Sequence, residues 1–450
     1  MGLGNTPARK GGLGALEYVF IMFSMASCLP LFFLGPIAFN LGLSLQEALL
    51  AALAGNLIVA VAMALNGHAG IKHKIDFPEQ AVRSLGNLTG KAAVVMRGLV
   101  GAMWFGVEAY NGALALNLIL LFALGLSGAV LLDKATVLIP AALVVYLGSM
   151  YLVLRLGVRG IGKAATLAGP LLLLYFAWLW LWMKSAGFQP ASVPQGVGLL
   201  SSGFLIYLAI QTNWWATVAV NISDLSREAK SWGALWIGVM LGMVGGQLLG
   251  TYLSYELVLL TGKTLPQEII TEYAPGAIAV LLGLSFAFLA PWTTDLTANL
   301  PPMIDILKSI AGMSWRKASL ISAAAGFILA PWWLLDNAPE IVGYVTSFAA
   351  SYGVILGPIL GALLAAHWIG GLNRPPNPSY KPVILPTTVG LLAGLILSYI
   401  IAYPLGMVNS VLGVPFPQGP IWYVGVAISM VVAAILLKLI PVNIKFRSEA

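Results

Sequence analysis

The sequence predicts an all-α integral membrane protein of twelve transmembrane helices. Three observations carry that reading: chain-long apolar patterning, scarcity of charge, and the placement of the basic residues. The chain is 59% hydrophobic and only 9% charged, whereas a soluble domain carries about 25% charged residues. So little charge cannot cover a water-facing surface, and no polar stretch is long enough to form a separate soluble domain. Apolar runs of about 20 residues, the length that spans a bilayer core, recur along the chain.

These segments fall near residues 16–43, 46–67, 92–120, 136–155, 164–183, 201–223, 232–261, 275–307, 318–335, 342–369, 383–408 and 421–440. Lys and Arg concentrate in cytoplasmic connections. With the N-terminus inside, twenty of the 23 basic residues fall on the cytoplasmic side; only Lys134, Lys184 and Lys263 fall outside. Moving the count by one helix scrambles that pattern. The expected organisation is a cytoplasmic tail at 1–15, a first repeat of five helices at 16–184 and a second at 201–369. A cytoplasmic proline-rich linker at 370–382, two further helices at 383–440 and a cytoplasmic tail at 441–450 complete it. The expected setting is the plasma membrane, as a monomer among lipid. The first apolar segment lacks a cleavage pattern and reads as a retained helix.

The net charge of +7 is spread singly over short loops, which argues against a nucleic-acid partner. Cys28, the single cysteine, lies in an apolar segment and excludes a disulfide within the chain. Gly242, Gly246 and Gly250, and likewise Gly357 and Gly361, are spaced four apart; small residues at that spacing let helix backbones approach closely.

Interrupted helices survive in a bilayer only where protein or a cavity covers the freed backbone. Pro30 supplies no N–H to the Ala26 carbonyl, which breaks the first helix near its middle. Gln211-Thr-Asn-Trp-Trp215 lies at the matching point of the sixth segment and predicts a second interruption there. Paired breaks at corresponding positions of two halves point to a transporter binding site.

Two acids lie deep in helices, Glu108 in the third and Asp295 in the eighth. Each would cost about 2.5–3.5 kcal/mol at a lipid-exposed helix centre, so both face the interior, stay protonated or find partners. Glu108 follows Trp104 by four residues and shares its helix face. An indole beside a carboxyl group suits a flat ring bearing N–H groups. Asn299, one turn beyond Asp295, offers donor and acceptor to a ring edge. The Thr293 and Thr294 hydroxyls cluster with the Ala290 carbonyl. With the carbonyls of Ala26 and Leu29 they make a neutral oxygen set suited to sodium. The competing reading is that the threonines bond back to their own helix.

No catalytic constellation is present. His68, His73 and His367 show no metal-ligand spacing, and no phosphate-cradling Walker loop occurs. No cofactor is expected, and an ion gradient is the remaining common energy source.

Several stretches resemble the nucleobase–cation symporter family, which includes cytosine permeases and hydantoin and allantoin transporters. They are Phe77-Pro-Glu-Gln-Ala-Val-Arg-Ser-Leu-Gly, Arg97, Trp104-Phe-Gly, Trp215-Ala-Thr-Val-Ala-Val-Asn-Ile-Ser-Asp-Leu-Ser-Arg227, Trp292-Thr-Thr and Ala330-Pro-Trp-Trp. The resemblance covers the first ten helices. It implies a LeuT-like five-plus-five inverted repeat with two extra helices. It also implies that the substrate ring lies between Trp104 and Trp215, with Gln211 and Asn299 in the site. Glu108 stands where the family commonly has an amide, and Trp214 where hydantoin transporters have a small residue. The implied sodium ligands are the backbone oxygens of Ala26, Leu29 and Ala290 and the hydroxyls of Thr293 and Thr294. The expected function is therefore sodium-coupled symport of a nucleobase, hydantoin or allantoin-like heterocycle by alternating access. Two alternatives stay open: proton coupling through Glu108 or Asp295, and amino-acid or quaternary-amine transport on the same fold with the aromatics as a cation cage.

Overall fold

A computed structural model of the chain describes residues 12–127, 129–156, 161–190, 192–372, 383–404, 408–411 and 414–439. The tail through residue 11, the linker at 373–382 and the tail from residue 440 lie outside the described residues, as does Arg159.

The described chain is almost wholly helical. Among the described residues seven helices are long and apolar enough to cross a membrane, or nine if each of two bent pairs is one span. The first bent pair is α1 (Ala15–Ala26), followed by a 3-10 turn at Leu29–Phe33 and α2 (Leu34–Asn40), with a 57° bend. This is the break expected at Pro30. The second pair, α5 (Ala129–Val137) and α6 (Ile139–Leu156), bends by 63°. The predicted fifth, sixth and ninth segments are also helical, as α7 (Ile161–Ser185), α8 (Ser202–Asn221) and α12 (Trp315–Leu329).

Local chemistry sets the remaining boundaries. α3 (Leu45–His73) opens on a reciprocal cap, in which Ser44 Oγ accepts from the Glu47 amide and the Glu47 carboxylate accepts from the Ser44 amide. α4 (Phe77–Ala123) starts well before residue 92, because Asp76 caps the Glu79 amide at 3.0 Å and Pro78 occupies the first turn. It turns sharply at Gly86, whose φ of +81° only glycine adopts without strain. α9 (Trp232–Thr261) matches its predicted bounds. A short helix that the apolar pattern did not reveal, α10 (Pro266–Tyr273), precedes α11 (Gly276–Ala311). α11 widens into a π turn at Asp295–Asn299, just before Pro301 and Pro302, which supply no N–H to the preceding carbonyls. α13 (Glu340–Ile369), α14 (Ile384–Ala402) and α15 (Ile421–Leu439) follow. Strands β1 (Val408–Val411) and β2 (Val414–Pro417) pair antiparallel before α15, where helix had been predicted as far as 408.

The interruption expected at Gln211–Trp215 is absent: α8 runs unbroken from Ser202 to Asn221. No proline or glycine lies between Gln211 and Trp215. Its polar side chains find partners without disturbing the helix, Gln211 and Asn213 on other helices and Thr212 at its own Leu208 carbonyl and Tyr423.

α4 runs through the middle of the bundle and touches α6, α8, α11, α12, α13 and α14. α3 packs along α8. The glycines spaced by four make the close approaches expected of them. A Cβ on Gly242 would lie 2.3 Å from the Val19 carbonyl oxygen, and one on Gly357 would lie 2.4 Å from that of Trp422. Leu174, Val144, Ile396 and Val431 are exposed on the outer faces of α7, α6, α14 and α15, as a lipid-facing surface requires.

The segments assigned to the cytoplasm converge on one end. Lys74 Nζ donates to the Arg227 carbonyl at 2.9 Å, the Phe77 amide donates to Asp224 at 2.7 Å, and the Leu13 amide donates to the Glu228 carbonyl at 2.7 Å. At the other end Lys184 pairs with Glu256 at 3.1 Å and Lys263 with Glu268 at 2.7 Å.

Burial pushes the Asp224 carboxyl up from 3.8 to about 6, although the Phe77 amide and Asn221 donate to it. Its folded-state value is raised, so between those values the folded state binds more protons than the unfolded state. Stability should therefore fall as pH rises from about 4 through about 6, by about 2–3 kcal/mol. Thermal unfolding of Asp224→Asn across that range should show a flatter profile than the parent. An unchanged slope would assign the pH dependence elsewhere.

Candidate substrate and cation site

Six elements converge near the level of the α1–α2 break. α4 supplies Trp104 and Glu108, α8 supplies Gln211, Trp214 and Trp215, and α11 supplies Asp295 and Asn299. α13 adds Phe348 and Tyr352, α6 adds Tyr146, and the break itself contributes Cys28. All are buried.

Trp104 sits in an aromatic box. Its ring meets Trp214 edge-on at 4.7 Å and 66°, and Phe348 at 5.4 Å. Its N–H donates to Tyr352 Oη at 3.3 Å, and Tyr352 donates on to the Asn213 carbonyl at 2.6 Å. The indole facing Trp104 is thus Trp214. Adjacent helical residues point about 100° apart, and Trp215 turns toward α9. It donates to Gln247 at 3.1 Å, and Gln247 donates to Gln211 Oε1 at 3.2 Å. Gln211 also accepts from Asn56 at 3.0 Å and donates to Tyr207 at 2.9 Å and Thr251 at 3.3 Å. Gln211 and Trp215 therefore belong to an amide network tying α3, α8 and α9 together.

The acids form a second group. Asp295 accepts from Asn299 at 2.9 Å on Oδ1 and from Tyr146 at 3.1 Å on Oδ2. Gly112 makes room for Tyr146, since a Cβ there would lie 2.2 Å from Tyr146 Cε2. Glu108 Oε2 is buried with no hydrogen-bond partner. Its carboxyl is close enough to interact electrostatically with Cys28, Tyr146 and Asp295. Among the described residues no Lys or Arg reaches either acid.

The expected cation ligands lie on two elements in contact: α11 packs against the Leu29–Phe33 turn. Ala26 ends α1, and Leu29 opens the turn. Thr293 Oγ1 donates to the Leu289 carbonyl at 2.9 Å and the Ala290 carbonyl at 3.0 Å. It thus bonds back to the helix while clustering with Ala290, and its oxygen still has lone pairs for a cation. Thr294 is half-buried beside it. The donor set is neutral and all oxygen, which fits a hard monovalent cation.

Phe348, Tyr352, Tyr146, Gln247 and Cys28 were missed in the sequence. Gln247 alone carried a usable signal, as the one amide among the small and apolar residues Gly245–Gly250 of a span.

Residues 7–373 match the family model for permeases of cytosine/purines, uracil, thiamine and allantoin. The chain belongs to this permease family. It is 26% identical over 331 residues to a purine-uracil permease of Arabidopsis thaliana, covering 70% of this chain and 55% of the relative. It is 25% identical over 333 residues to an allantoin permease of Bacillus subtilis, covering 68% and 66%. The chain thus spans between about half and two thirds of the length of these relatives. Among solved structures, the inward-facing conformation of Mhp1 superposes with a TM-score of 0.74 at 18% identity, covering 97% of this chain and 93% of that one. That likeness places the chain in the Mhp1 fold, which is LeuT-like. The family is one of permeases.

Proposed function

We propose that the protein is a sodium-coupled importer of a nucleobase or related planar nitrogen heterocycle, working by alternating access. In this reading twelve membrane helices form a five-plus-five inverted repeat with two added helices. Both termini face the cytoplasm, the plasma membrane is the site of action, and the unit is a monomer. The bundle built from α1–α3, α8 and α9 rocks against the rest.

The observation that carries the reading is the box of Trp104, Trp214 and Phe348, with Glu108 and the Asp295–Asn299 pair alongside and a broken helix at the same level. The ring stacks on Trp104. A flat ring held between two indoles needs about 7–8 Å between them, and Trp214 stands 4.7 Å from Trp104. Binding therefore turns Trp214 aside, while Trp215 stays fixed by its amide network. Ala26, Leu29, Ala290, Thr293 and Thr294 hold the sodium ion.

Proteoliposome uptake of radiolabelled cytosine, uracil, guanine, hypoxanthine, hydantoin and allantoin, with and without a sodium gradient, tests this. At least one compound should accumulate with sodium, and Thr294→Ala should lose the sodium dependence. Absence of uptake and of binding for every heterocycle would overturn the proposal. The unpartnered Glu108 oxygen favours a second reading, proton coupling. Uptake driven by a pH gradient in sodium-free buffer and lost in Glu108→Gln would select it.

A further inference from the structure

The two buried acids do not have the same hydrogen bonding. Asp295 has both oxygens occupied as acceptors, from Asn299 and from Tyr146. That is the arrangement of an ionised carboxylate. Glu108 has a buried oxygen with no donor and a like charge nearby. Two unpaired carboxylates do not both stay charged at such depth, and of the two only Glu108 has an oxygen without a donor, free to carry a proton. The ionisable groups facing Glu108 are Asp295 from α11, Tyr146 from α6 and Cys28 from the break. Tyr352 reaches the same pocket from α13 through Trp104, and α8 presents the uncharged Trp214. The Arg97 guanidinium, held by Asn221 at 3.1 Å, extends up the same helix to Gly101, about 10 Å below Glu108 along the axis, and is directed to Tyr352.

We infer that the Glu108–Asp295 pair makes this a site for a positively charged heterocycle, which enters in exchange for the proton on Glu108. The inference rests on the reading of the site as a heterocycle site and names the charge of its cargo. The exchange balances. The empty site carries one negative charge on Asp295 and a proton on Glu108. The occupied site carries two carboxylates and one ring cation, and the proton leaves to water. The net charge is the same in both states. The face of Trp104 adds attraction for a flat cation. A neutral ring leaves the proton in place, meets an O–H where the cation meets an anion, and gains none of this.

The test uses full-length protein in nanodiscs and pairs of rings that differ in charge, such as 1-methylnicotinamide with nicotinamide and 4-aminopyridinium with 4-pyridone. Calorimetry in two buffers of different ionisation enthalpy counts the protons released. The cationic member of a pair should bind at least about tenfold more tightly, which is about 1.4 kcal/mol. It should release close to one proton, and its affinity should rise by about tenfold per pH unit while Glu108 holds its proton. In Glu108→Gln the cation preference and the proton release should disappear, and thermal unfolding of the variant in the same nanodiscs reports whether it is folded. If that variant fails to fold, the wild-type proton count decides alone. Neutral members binding as well as or better than cations across the pairs, or binding without proton release, would overturn the inference and leave the heterocycle reading intact. Binding of no ring of either charge, neutral nucleobases included, would overturn that reading itself.

Discussion

Gly35→Ala should be among the most destabilising single substitutions in this protein. A Cβ at residue 35 would lie 2.2 Å from the Ser254 carbonyl carbon, 2.3 Å from the Tyr255 nitrogen and 2.4 Å from the Ser254 oxygen. All three are backbone atoms, so no rotamer change relieves the clash. The Gly35 amide also donates to Ser254 Oγ at 2.8 Å, and any retreat of α2 from α9 stretches that bond. The neighbouring Tyr207 and Tyr255 hydroxyls donate to the Leu34 and Leu43 carbonyls at 3.1 and 2.6 Å and hold the joint in place. Overpacking a tight contact costs about 1–3 kcal/mol and occasionally more; a backbone clash with a threatened hydrogen bond belongs at the upper end. Gly245→Ala is the control, because a Cβ there meets nothing within 4 Å. Thermal unfolding in detergent should separate the two clearly. Equal midpoints for both variants would mean that α2 and α9 are not in the contact described.

Gln211→Leu should cost both stability and uptake. Gln211 joins Asn56, Tyr207, Gln247 and Thr251 through both ends of its amide. Leucine fills much of the space but leaves the Gln247 amide and the Thr251 hydroxyl short of partners in a buried site, at about 1–3 kcal/mol for each unsatisfied group. The functional loss follows from the geometry. Gln247, held by Gln211, receives the Trp215 N–H, and that chain fixes the rotation of α8. The same rotation sets Trp214 against Trp104. We expect uptake at least tenfold below the parent, about 1.4 kcal/mol or more, with unfolding at a lower temperature. Trp215→Phe keeps the ring and loses only its N–H, so its loss should be smaller. Full uptake by Gln211→Leu would show that the network does not position the aromatic box.

The sequence disclosed what depends on one residue type at one depth, and hid what depends on rotation or on distant partners. Pro30 announced its break because a missing N–H acts locally. The glycines of α9 announced a helix contact because spacing alone defines their shared face. Trp104 and Glu108 were readable as one face for the same reason. Gln211–Trp215 misled, since clustered polar residues in an apolar span imply either a break or a network, and only the positions of Asn56, Thr251 and Gln247 tell which. The choice between Trp214 and Trp215 turns on one residue step around α8, which periodicity without a break does not fix. Tyr146 and Tyr352 look like ordinary aromatic residues until the fold brings Asp295 and Trp104 to them. The early start of α4 was masked by Glu79, Arg83 and Lys91, which read as loop although Asp76 and Pro78 mark a helix start.

Thr212 and Tyr423 are hydrogen-bonded through their hydroxyls, which joins α8 to α15 two residues from Trp214. Gly353 closes the junction, where a Cβ would lie 2.6 Å from Asn213 Oδ1 and 2.9 Å from Trp422 Cβ. Val431, Ile435 and Leu439 are exposed on the outer face of α15, the face that meets the acyl chains in the reading proposed above. Lateral pressure and bilayer thickness therefore act on a helix that stands one hydroxyl pair away from the aromatic box. Any tilt of α8 must carry α15 along or break that link. In the transport cycle proposed above, the work of moving α8 thus includes work done against the membrane.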